Sequence, residues 1–307
     1  MDSIKIFSPS SVANLSCGFD VLGLCLDTIG DEMIIKKSTI PGLRIIKIDG
    51  EDLPLAIEKN VAGVAAKSYL NKFPTEIGID IEIYKKIKAG SGIGSSAASA
   101  VGAVFGINEL LERDIRKIDL IPYALEGEKL ASGETHADNI APAMLGGLTL
   151  IRNVESLDII KLPSPSELII TIIHPKIELK TSHARTIIKK QVPLKSVINQ
   201  TANIAGFISG LYTNDYDLIS RSLNDDIIEK ERSLLIPGFN SLKKTALEIG
   251  ALGCGISGSG PSVYALSRGL TKAEEVASGF KNVISRLGID YDIYISKINS
   301  KGVRKSI

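Results

Sequence analysis

The amino-acid sequence predicts an α+β fold, because strand-like and helix-like hydrophobic patterns are mixed without the strict alternation of a doubly wound sheet. Apolar and acidic residues alternate over 79–83, as in a half-buried strand. After Asn60, a residue type common at helix N-caps, the apolar residues of 61–69 recur at helical spacing. The length of 307 residues fits two domains or one large one.

In the first half of the chain, short apolar runs between turn residues predict strands, and longer runs with helical spacing predict helices. Strands are predicted over 4–7, 21–26, 32–37, 43–48, 79–83 and 148–152. Helices are predicted over 61–69, 97–111, 116–131 and 138–144. The Gly146-Gly147 pair ends the last of these helices and leads into the strand at 148–152.

Pro163 and Pro165 lie between two ordered stretches and mark the predicted domain boundary. We expect an N-terminal domain over 1–163 and a C-terminal domain over 164–307. The second domain is predicted to contain strands over 168–173, 262–266 and 290–295, helices over 195–211, 239–249 and 272–286, and a glycine-rich turn over 253–260.

Composition excludes several classes of protein. Hydrophobic residues make up 44% of the chain, enough for a full core, so intrinsic disorder is not expected. The 36 Lys and Arg residues against 35 Asp and Glu leave a formal charge of +1, which argues against a nucleic-acid partner but not against a small anionic ligand. The three Cys and three His residues do not form a zinc pattern, and they fit a reducing compartment.

No segment indicates a secretory or membrane protein. The N-terminus has an acid at position 2 and no apolar core of a signal peptide. The longest apolar stretch, 168–173, is far shorter than the roughly 20 residues that span a bilayer. We therefore expect a soluble, cytoplasmic protein without a membrane partner.

Gly90, Gly92 and Gly94 alternate with other residues between a predicted strand and a predicted helix. Glycine at these positions permits a left-handed backbone and close approach of a ligand to the main chain. The N–H groups at the start of the following helix favour an anion, so phosphate is the natural ligand. A surface loop before a helix capped by Ser95 or Ser96 explains the same residues, and this segment alone does not decide between the two interpretations.

Two other nucleotide-binding motifs do not fit the chain. Gly94 is followed by two serines rather than the Lys-Ser/Thr pair of a Walker A loop. Gly253, Gly255 and Gly258 match the dinucleotide pattern G-x-G-x-x-G, but they follow a helical pattern and lead into a strand, the reverse of the required order. We interpret this match as false and keep an NAD-dependent oxidoreductase as the alternative from a different functional class.

Two further segments concentrate polar residues that could hold a ligand. Asn14 and Asp20 lie in an N-terminal loop, where local Asx turns explain them equally well. His136, Asp138 and Asn139 lie within four positions, which is dense for a structural turn.

Taken together, these segments resemble the GHMP small-molecule kinases. The order and spacing of that family are matched by VANLSCGFDVLGLCL, GSGIGSSAASA and GCGISGSGPSVYAL, and its homoserine-phosphorylating branch is indicated by HADNIAPAMLGG. The resemblance spans residues 8–266. It implies an N-terminal mixed α/β domain with a left-handed-crossover, ribosomal-protein-like fold and a C-terminal ferredoxin-like domain. It also implies ATP and Mg²⁺ in the cleft between them.

The resemblance assigns ATP to the glycine-rich loop, supported by the turn over 253–260. The residues implied to bind ATP are Lys88, Ala89, Gly90, Ser91, Gly92, Ile93, Gly94, Ser95, Ser96, Gly258, Ser259 and Gly260. Ser96 and Glu128 match positions that hold Mg²⁺, although Glu128 taken by itself is typical of a solvated charge on a helix. Lys88 stands where relatives usually have proline, so nucleotide affinity can differ, and Ser16-Cys17 replaces a Gly-Pro pair.

The implied substrate is L-homoserine, a zwitterion with a side-chain hydroxyl. Arg185 and Arg232 match positions that hold its carboxylate, a task that suits a guanidinium fork. The other residues implied to bind substrate are Asn14, Asp20, His136, Asp138, Asn139 and Thr181. Of these, Asp20 and Asp138 are the candidates for the ammonium group.

Asp138 and Asn139 are the implied catalytic residues. Asp138 aligns with the aspartate often assigned as general base in mevalonate kinases, whereas the homoserine branch has been interpreted as working without a base. We expect Asp138 to orient the substrate first and to act as a base only second. The remaining alternatives are a GHMP kinase for mevalonate, phosphomevalonate or shikimate, and a catalytically silent nucleotide-binding regulator. A homodimer is implied only by analogy.

Overall fold

The computed structural model describes residues 2–133, 135–177, 179 and 181–306, without the side chains of residues 132 and 181–183. Its strands are β1 (Ser3–Ala13), β2 (Leu22–Ser38), β3 (Leu43–Asp49), β4 (Gly78–Tyr84), β5 (Leu148–Asn153), β6 (Asp158–Leu162), β7 (Leu168–Pro175), β8 (Gly253–Ile256), β9 (Val263–Arg268), β10 (Tyr291–Lys297) and β11 (Arg304–Lys305). Its α-helices are α1 (Val61–Lys72), α2 (Ser95–Leu110), α3 (Lys117–Ser132), α4 (Ile140–Leu145), α5 (Thr181–Thr186), α6 (Leu194–Thr213), α7 (Tyr216–Ser222), α8 (Glu229–Arg232), α9 (Phe239–Ile249) and α10 (Leu270–Arg286).

The first sheet has the order β11-β1-β2-β4-β3, and β5 pairs with β2 and carries β6. All its pairs are antiparallel except β3 with β4, which are joined through α1. Helices α1, α2 and α3 pack against one another, and α2 lies against β1 and β2. A Cβ at Gly106 of α2 would lie 2.7 Å from Ile35, so this helix approaches the sheet as closely as glycine permits.

The second sheet is antiparallel and has the order β10-β7-β9-β8. Counted along the chain from β7, this order is 4-1-3-2, with helices between the first and second strands and between the third and fourth. That is the β-α-β-β-α-β arrangement of ferredoxin-like folds. Together with the first sheet, it confirms the predicted α+β class and the predicted C-terminal fold.

The two sheets share part of their hydrophobic core. One buried cluster joins Leu24 and Leu26 of β2 with Leu168 and Ile170 of β7. The predicted boundary at 163/164 falls between β6 and β7, and it stays a prediction, since β11 returns to pair with β1 at the edge of the first sheet. Among the described residues, no helix combines the length and hydropathy needed to cross a bilayer.

Four predicted elements differ from the structure. The strands expected over 21–26 and 32–37 form one strand, β2, because β1 pairs with both of its halves across a bulge between Pro9 and Ser11. The same pairing extends β1 to Ala13, beyond the predicted end at residue 7. Residues 253–256, expected in a turn, form β8 because they pair with β9.

Candidate active site

A cavity of about 800 Å³ lies where the glycine-rich loop of the first half faces residues of the second half. The predicted site residues that line it are Asn14, Asp20, Lys88, Ala89, Gly90, Ser91, Gly92, Gly94, Ser95, Ser96, Glu128, His136, Asp138, Asn139, Arg185, Arg232, Gly258 and Ser259. The structure therefore brings together residues that are up to 245 positions apart in the chain.

Three predicted site residues do not line the cavity through a described side chain. Ile93 is 1% exposed, and its side chain packs in the core. Gly260 lies behind the loop, where its carbonyl oxygen would meet a Cβ at Gly92. The side chain of Thr181 lies outside the described residues.

The glycine-rich loop follows the backbone path predicted from its spacing. Gly90, Gly92 and Gly94 have φ angles of +70°, +80° and +74°, which side chains rarely tolerate. A Cβ at Gly92 would lie 2.5 Å from the carbonyl oxygen of Gly260, and one at Gly94 would lie 2.2 Å from Ser11 Oγ. Both conformation and space therefore require glycine at these two positions.

Helix α2 begins directly after this loop. Gly94 occupies the N-cap, and no side-chain oxygen among the described residues caps the helix. The first intrahelical hydrogen bond is donated by Ala98 N–H to the Gly94 carbonyl, so the N–H groups of residues 95–97 precede the helical ladder. The interpretation of a loop capped by Ser95 or Ser96 is wrong, and the helix start retains the features of an anion site.

The turn between β8 and β9 supports the loop from the second sheet, as the resemblance implied. Ser257 Oγ donates to the Gly92 carbonyl at 2.8 Å, and Ser262 Oγ donates to the Ser91 carbonyl at 2.6 Å. The G-x-G-x-x-G match belongs to this β-hairpin. Because no helix follows the turn, the dinucleotide interpretation lacks its required structural context.

Ser96 and Glu128 meet across two helices at the wall of the cavity. Ser96 Oγ donates to Glu128 Oε2 at 2.6 Å, and Glu128 is 8% exposed. A hydroxyl and a carboxylate oxygen suit a hard cation that keeps several waters, so this pair fits Mg²⁺. Among the described residues, no group of three or more His, Cys, Asp or Glu side chains could hold a metal on its own.

The cavity is also lined by a cluster of charged groups. Arg185 donates to both carboxylate oxygens of Asp20, at 3.0 and 3.2 Å, and its guanidinium lies 3.5 Å from His136 Nδ1. Asn14 fixes this loop, because its Oδ1 accepts from Asp20 N–H at 3.0 Å.

Arg232 lies beside this cluster, 3% exposed. It donates to the carbonyl oxygens of Gly258, at 2.9 Å, and Ala184, at 3.2 Å. Burial, then the positive charge of Arg185, lower its pKa. The two guanidinium groups share the Phe19 ring, with their carbons 5.5 and 4.9 Å from its centroid. Two neighbouring guanidinium groups suit a carboxylate ligand.

Asp138 lines the same cavity and is 4% exposed. Burial, then the negative charges of Asp20 and Glu128, raise the pKa of its carboxyl to about 7. The neighbouring Asn139 is oriented through its Oδ1, which accepts from Ser11 Oγ at 2.8 Å. A buried carboxyl with a pKa near neutrality can exchange a proton or orient a hydroxyl.

Family models match both halves of the chain: residues 59–147 match the GHMP kinases N terminal domain, and residues 207–285 match the GHMP kinases C terminal domain. The chain is 42% identical to homoserine kinase of Chlorobaculum tepidum, with 99% of this chain and 98% of the relative covered. It is 40% identical to homoserine kinase of Methanococcus vannielii, with 87% and 89% covered.

The crystal structure of homoserine kinase from Cytophaga hutchinsonii has a TM-score of 0.97 and 47% identity to this chain, covering 100% of this chain and 98% of that one. The chain belongs to the homoserine kinases, a branch of the GHMP kinase family. Mevalonate kinase of L. major, at 17% identity and a TM-score of 0.73 over 96% of each chain, shares the fold.

The structure locates both places where the sequence departs from the pattern implied by the resemblance. Lys88 Nζ lies 3.0 Å from Glu51 Oε1, and both residues line the cavity, so Lys88 forms an ion pair beside the loop. Ser16 Oγ hydrogen-bonds to the buried Tyr264 hydroxyl at 2.7 Å, and Cys17 is buried. The second departure thus lies in the contact between the two halves.

Several residues of the kinase's cavity were not predicted from the sequence. Pro54, Asn60, Val61 and Ile83 also line the cavity. Asn60 also caps α1, as predicted, by accepting from the Ala62 N–H at 2.9 Å. This double use could not be read from the helix pattern alone.

Phe19 was also missed. Its ring centroid lies 5.5 Å from the Arg185 guanidinium carbon and 4.9 Å from that of Arg232. An aromatic ring attracts cations at its face, so Phe19 helps to hold both arginines. Its position between Gly18 and Asp20, inside the N-terminal motif, was the available signal.

Proposed function

We propose that the chain catalyses ATP-dependent phosphorylation of the side-chain hydroxyl of L-homoserine, giving O-phospho-L-homoserine and ADP. One observation carries this proposal: a single cavity is lined both by the glycine-rich loop with the start of α2 and by the Asp20–Arg185 ion pair. The first set of groups suits the phosphates of a nucleoside triphosphate, and the second suits a zwitterionic amino acid. The similarity to homoserine kinases favours this substrate over those of other GHMP kinases.

The glycine-rich loop is proposed to hold the ATP phosphates. Backbone N–H groups of residues 92–96 point from the loop and the first turn of α2, where the helix dipole adds to their attraction for an anion. Phosphoryl transfer needs little covalent help from the protein, so catalysis here consists mainly of positioning and charge stabilisation.

Mg²⁺ is proposed to be held by Ser96 Oγ and Glu128, with waters and phosphate oxygens completing its coordination. When bound, the cation would neutralise charge on the transferred phosphoryl group. Without it, Glu128 is a buried carboxylate whose charge raises the pKa of Asp138. A cation beside Glu128 would offset that effect and favour the ionised form of Asp138.

The Asp20–Arg185 ion pair, with Arg232 beside it, is proposed to bind the zwitterion by exchanging its internal contact for contacts with the substrate. In the structure, Asp20 and Arg185 neutralise each other through three hydrogen bonds. The substrate ammonium would take Asp20, while its carboxylate would take Arg185 and Arg232. Each protein charge then keeps an opposite charge beside it, so the exchange avoids a lone buried ion.

Asp138 is proposed to accept a hydrogen bond from the substrate hydroxyl and to aim its oxygen at the terminal phosphate. Its raised pKa allows it also to receive the hydroxyl proton as transfer proceeds. Orientation is the primary role, and proton transfer is secondary. Asn139 is proposed to support this position from the neighbouring residue.

The test is turnover of the purified chain with MgATP and L-homoserine, mevalonate or shikimate, followed by ³¹P NMR of the products. We expect a phosphomonoester only with homoserine. Phosphorylation of mevalonate alone would contradict the proposal, and a bound nucleotide without turnover would favour the silent regulator. Cytoplasmic location and a homodimer stay predictions, which fractionation and light scattering can check.

A further inference from the structure

Beneath the glycine-rich loop lies a buried ion pair that the proposed chemistry does not use. The side chains of Asp31 on β2 and Lys85, just after β4, are 0% and 2% exposed, and Lys85 Nζ hydrogen-bonds to Asp31 Oδ2. Burying two charges is costly, and a pair buried for stability alone has little advantage over apolar residues. The position of this pair is therefore informative.

Lys85 is connected to the first two turns of α2. Its Nζ donates to Ser95 Oγ at 2.9 Å, to the Ser95 carbonyl at 3.2 Å and to Ser99 Oγ at 3.0 Å. With Asp31 as a further acceptor, all three N–H bonds of the ammonium are used within the protein. Although Lys85 borders the cavity, its donors are therefore committed to α2 rather than to a ligand.

Asp31 fixes the other side of the same segment. Its Oδ1 accepts from the backbone N–H groups of Lys86, at 2.8 Å, and Ile87, at 3.1 Å. Ser95 Oγ in turn donates to the Ile87 carbonyl at 3.0 Å. These bonds join the centre of the first sheet, the segment leading into the loop and the start of α2 into one network.

A cation beside a helix N-terminus is unfavourable in an isolated helix, because it faces the positive end of the dipole. Here the negative charge of Asp31 offsets that repulsion, so Lys85 can hold the first turn of α2 through its hydrogen bonds to Ser95.

We propose that Asp31 and Lys85 are positioning residues for ATP: Asp31 holds Lys85, and Lys85 sets the direction of the first turn of α2 toward the phosphates. This inference rests on the ATP-binding part of the proposed function. Asp31 does not line the cavity, so any effect of its replacement on ATP affinity must act through its partners.

The experiment measures binding of a non-hydrolysable ATP analogue with Mg²⁺ by calorimetry, together with Tm. The variants are D31N and the double variant D31N/K85M, which leaves no lone buried charge if D31N fails to fold. The matched control is D80N/K86M. It makes the same chemical changes at Asp80, which pairs with Arg44 on the same sheet, and at Lys86, which is exposed.

We expect the Kd for the analogue to rise about tenfold or more in D31N/K85M, the scale of a lost hydrogen bond to a charged group, while D80N/K86M stays within about twofold. The KM for homoserine should change little. A lower Tm with an unchanged Kd would overturn the inference, since a merely structural pair would lower stability alone. Failure of the wild type to phosphorylate homoserine would contradict the acceptor assignment but not this one, because the assay contains no acceptor.

Discussion

Replacing Asp138 by asparagine separates its two proposed roles. The amide keeps the shape of the side chain and can still hydrogen-bond to a hydroxyl, but it cannot take a proton at neutral pH. If Asp138 mainly orients the substrate, kcat should stay within a few fold while KM for homoserine rises. A general base contributes about 10²- to 10⁴-fold, so a fall in kcat of more than about 100-fold would refute the orienting role as the primary one.

The same variant makes a prediction about stability. Burial raises the pKa of Asp138 from 3.8 to about 7, so the native state binds more protons than the unfolded state between these two values. The stabilising contribution of the neutral carboxyl is therefore complete below pH 3.8, is lost progressively as the pH rises from 3.8 to about 7, and is absent above 7. At 1.36 kcal/mol for each pH unit of this window, the loss is up to about 4 kcal/mol at pH 8.

The amide of the D138N variant carries no charge at either pH, so D138N should be more stable than the wild type at pH 8 and nearly equal to it at pH 3, below both pKa values. Urea denaturation of both proteins at the two pH values measures the difference. Equal stability of the two proteins at pH 8 would show that the surroundings do not destabilise the ionised carboxyl of Asp138. The raised pKa would then no longer support the proposed role of Asp138. A gain in stability with a loss of substrate affinity is what a strained functional group predicts.

Three other substitutions test the remaining parts of the site. G92A should abolish ATP binding, measured by calorimetry, because its Cβ would lie within 2.7 Å of two carbonyl oxygens. The control G288A, at a similar φ but with open space around it, should lose only about 1–2 kcal/mol of stability, measured by denaturation. Normal ATP binding by G92A would contradict the assignment of the loop to ATP. E128Q should weaken apparent Mg²⁺ affinity about tenfold relative to the exposed control E126Q on the same helix, as measured by Mg²⁺ titration of activity; equal titration curves would exclude Glu128 as a ligand. R185K should raise KM for homoserine about tenfold without changing KM for ATP, because a lysine cannot replace a bidentate fork; an unchanged KM for homoserine would remove Arg185 from the carboxylate site.

The local sequence was sufficient to predict features of the site that depend on the backbone conformation of a few neighbouring residues. The alternating glycines at 90, 92 and 94 predicted a left-handed path, and the structure has positive φ at all three. The helix over 239–249 and the N-cap at Asn60 were likewise predicted, since capping and hydrophobic periodicity act within a few residues.

Features that depend on strand register could not be predicted in this way. Polar residues at 27–31 indicated a break between two strands. In the structure Asp31 is instead buried inside β2, because Lys85, 54 residues later, neutralises it. The N–H of Asp27 is satisfied by Ser296 Oγ from the second half of the chain. Lys85 and Ser296 are far from this segment in the sequence and reach it only in the folded protein. The local sequence therefore predicted a break between two strands, because it contains no partner for the polar groups of this segment.

The near-zero net charge of the chain is matched at the site, where charged groups of both signs lie close together. Charges of both signs line the cavity: Arg185 hydrogen-bonds to Asp20, and burial raises the pKa of the Asp138 carboxyl to about 7. A substrate with one carboxylate and one ammonium can exchange with the Asp20–Arg185 pair without leaving either unpaired. A hydroxy acid without the ammonium would engage the arginines and leave Asp20 without its partner, at the cost of an uncompensated charge. The preference for an amino acid over mevalonate thus has two sources: the ion pairs that the amino acid forms, and the unpaired Asp20 carboxylate that mevalonate would leave.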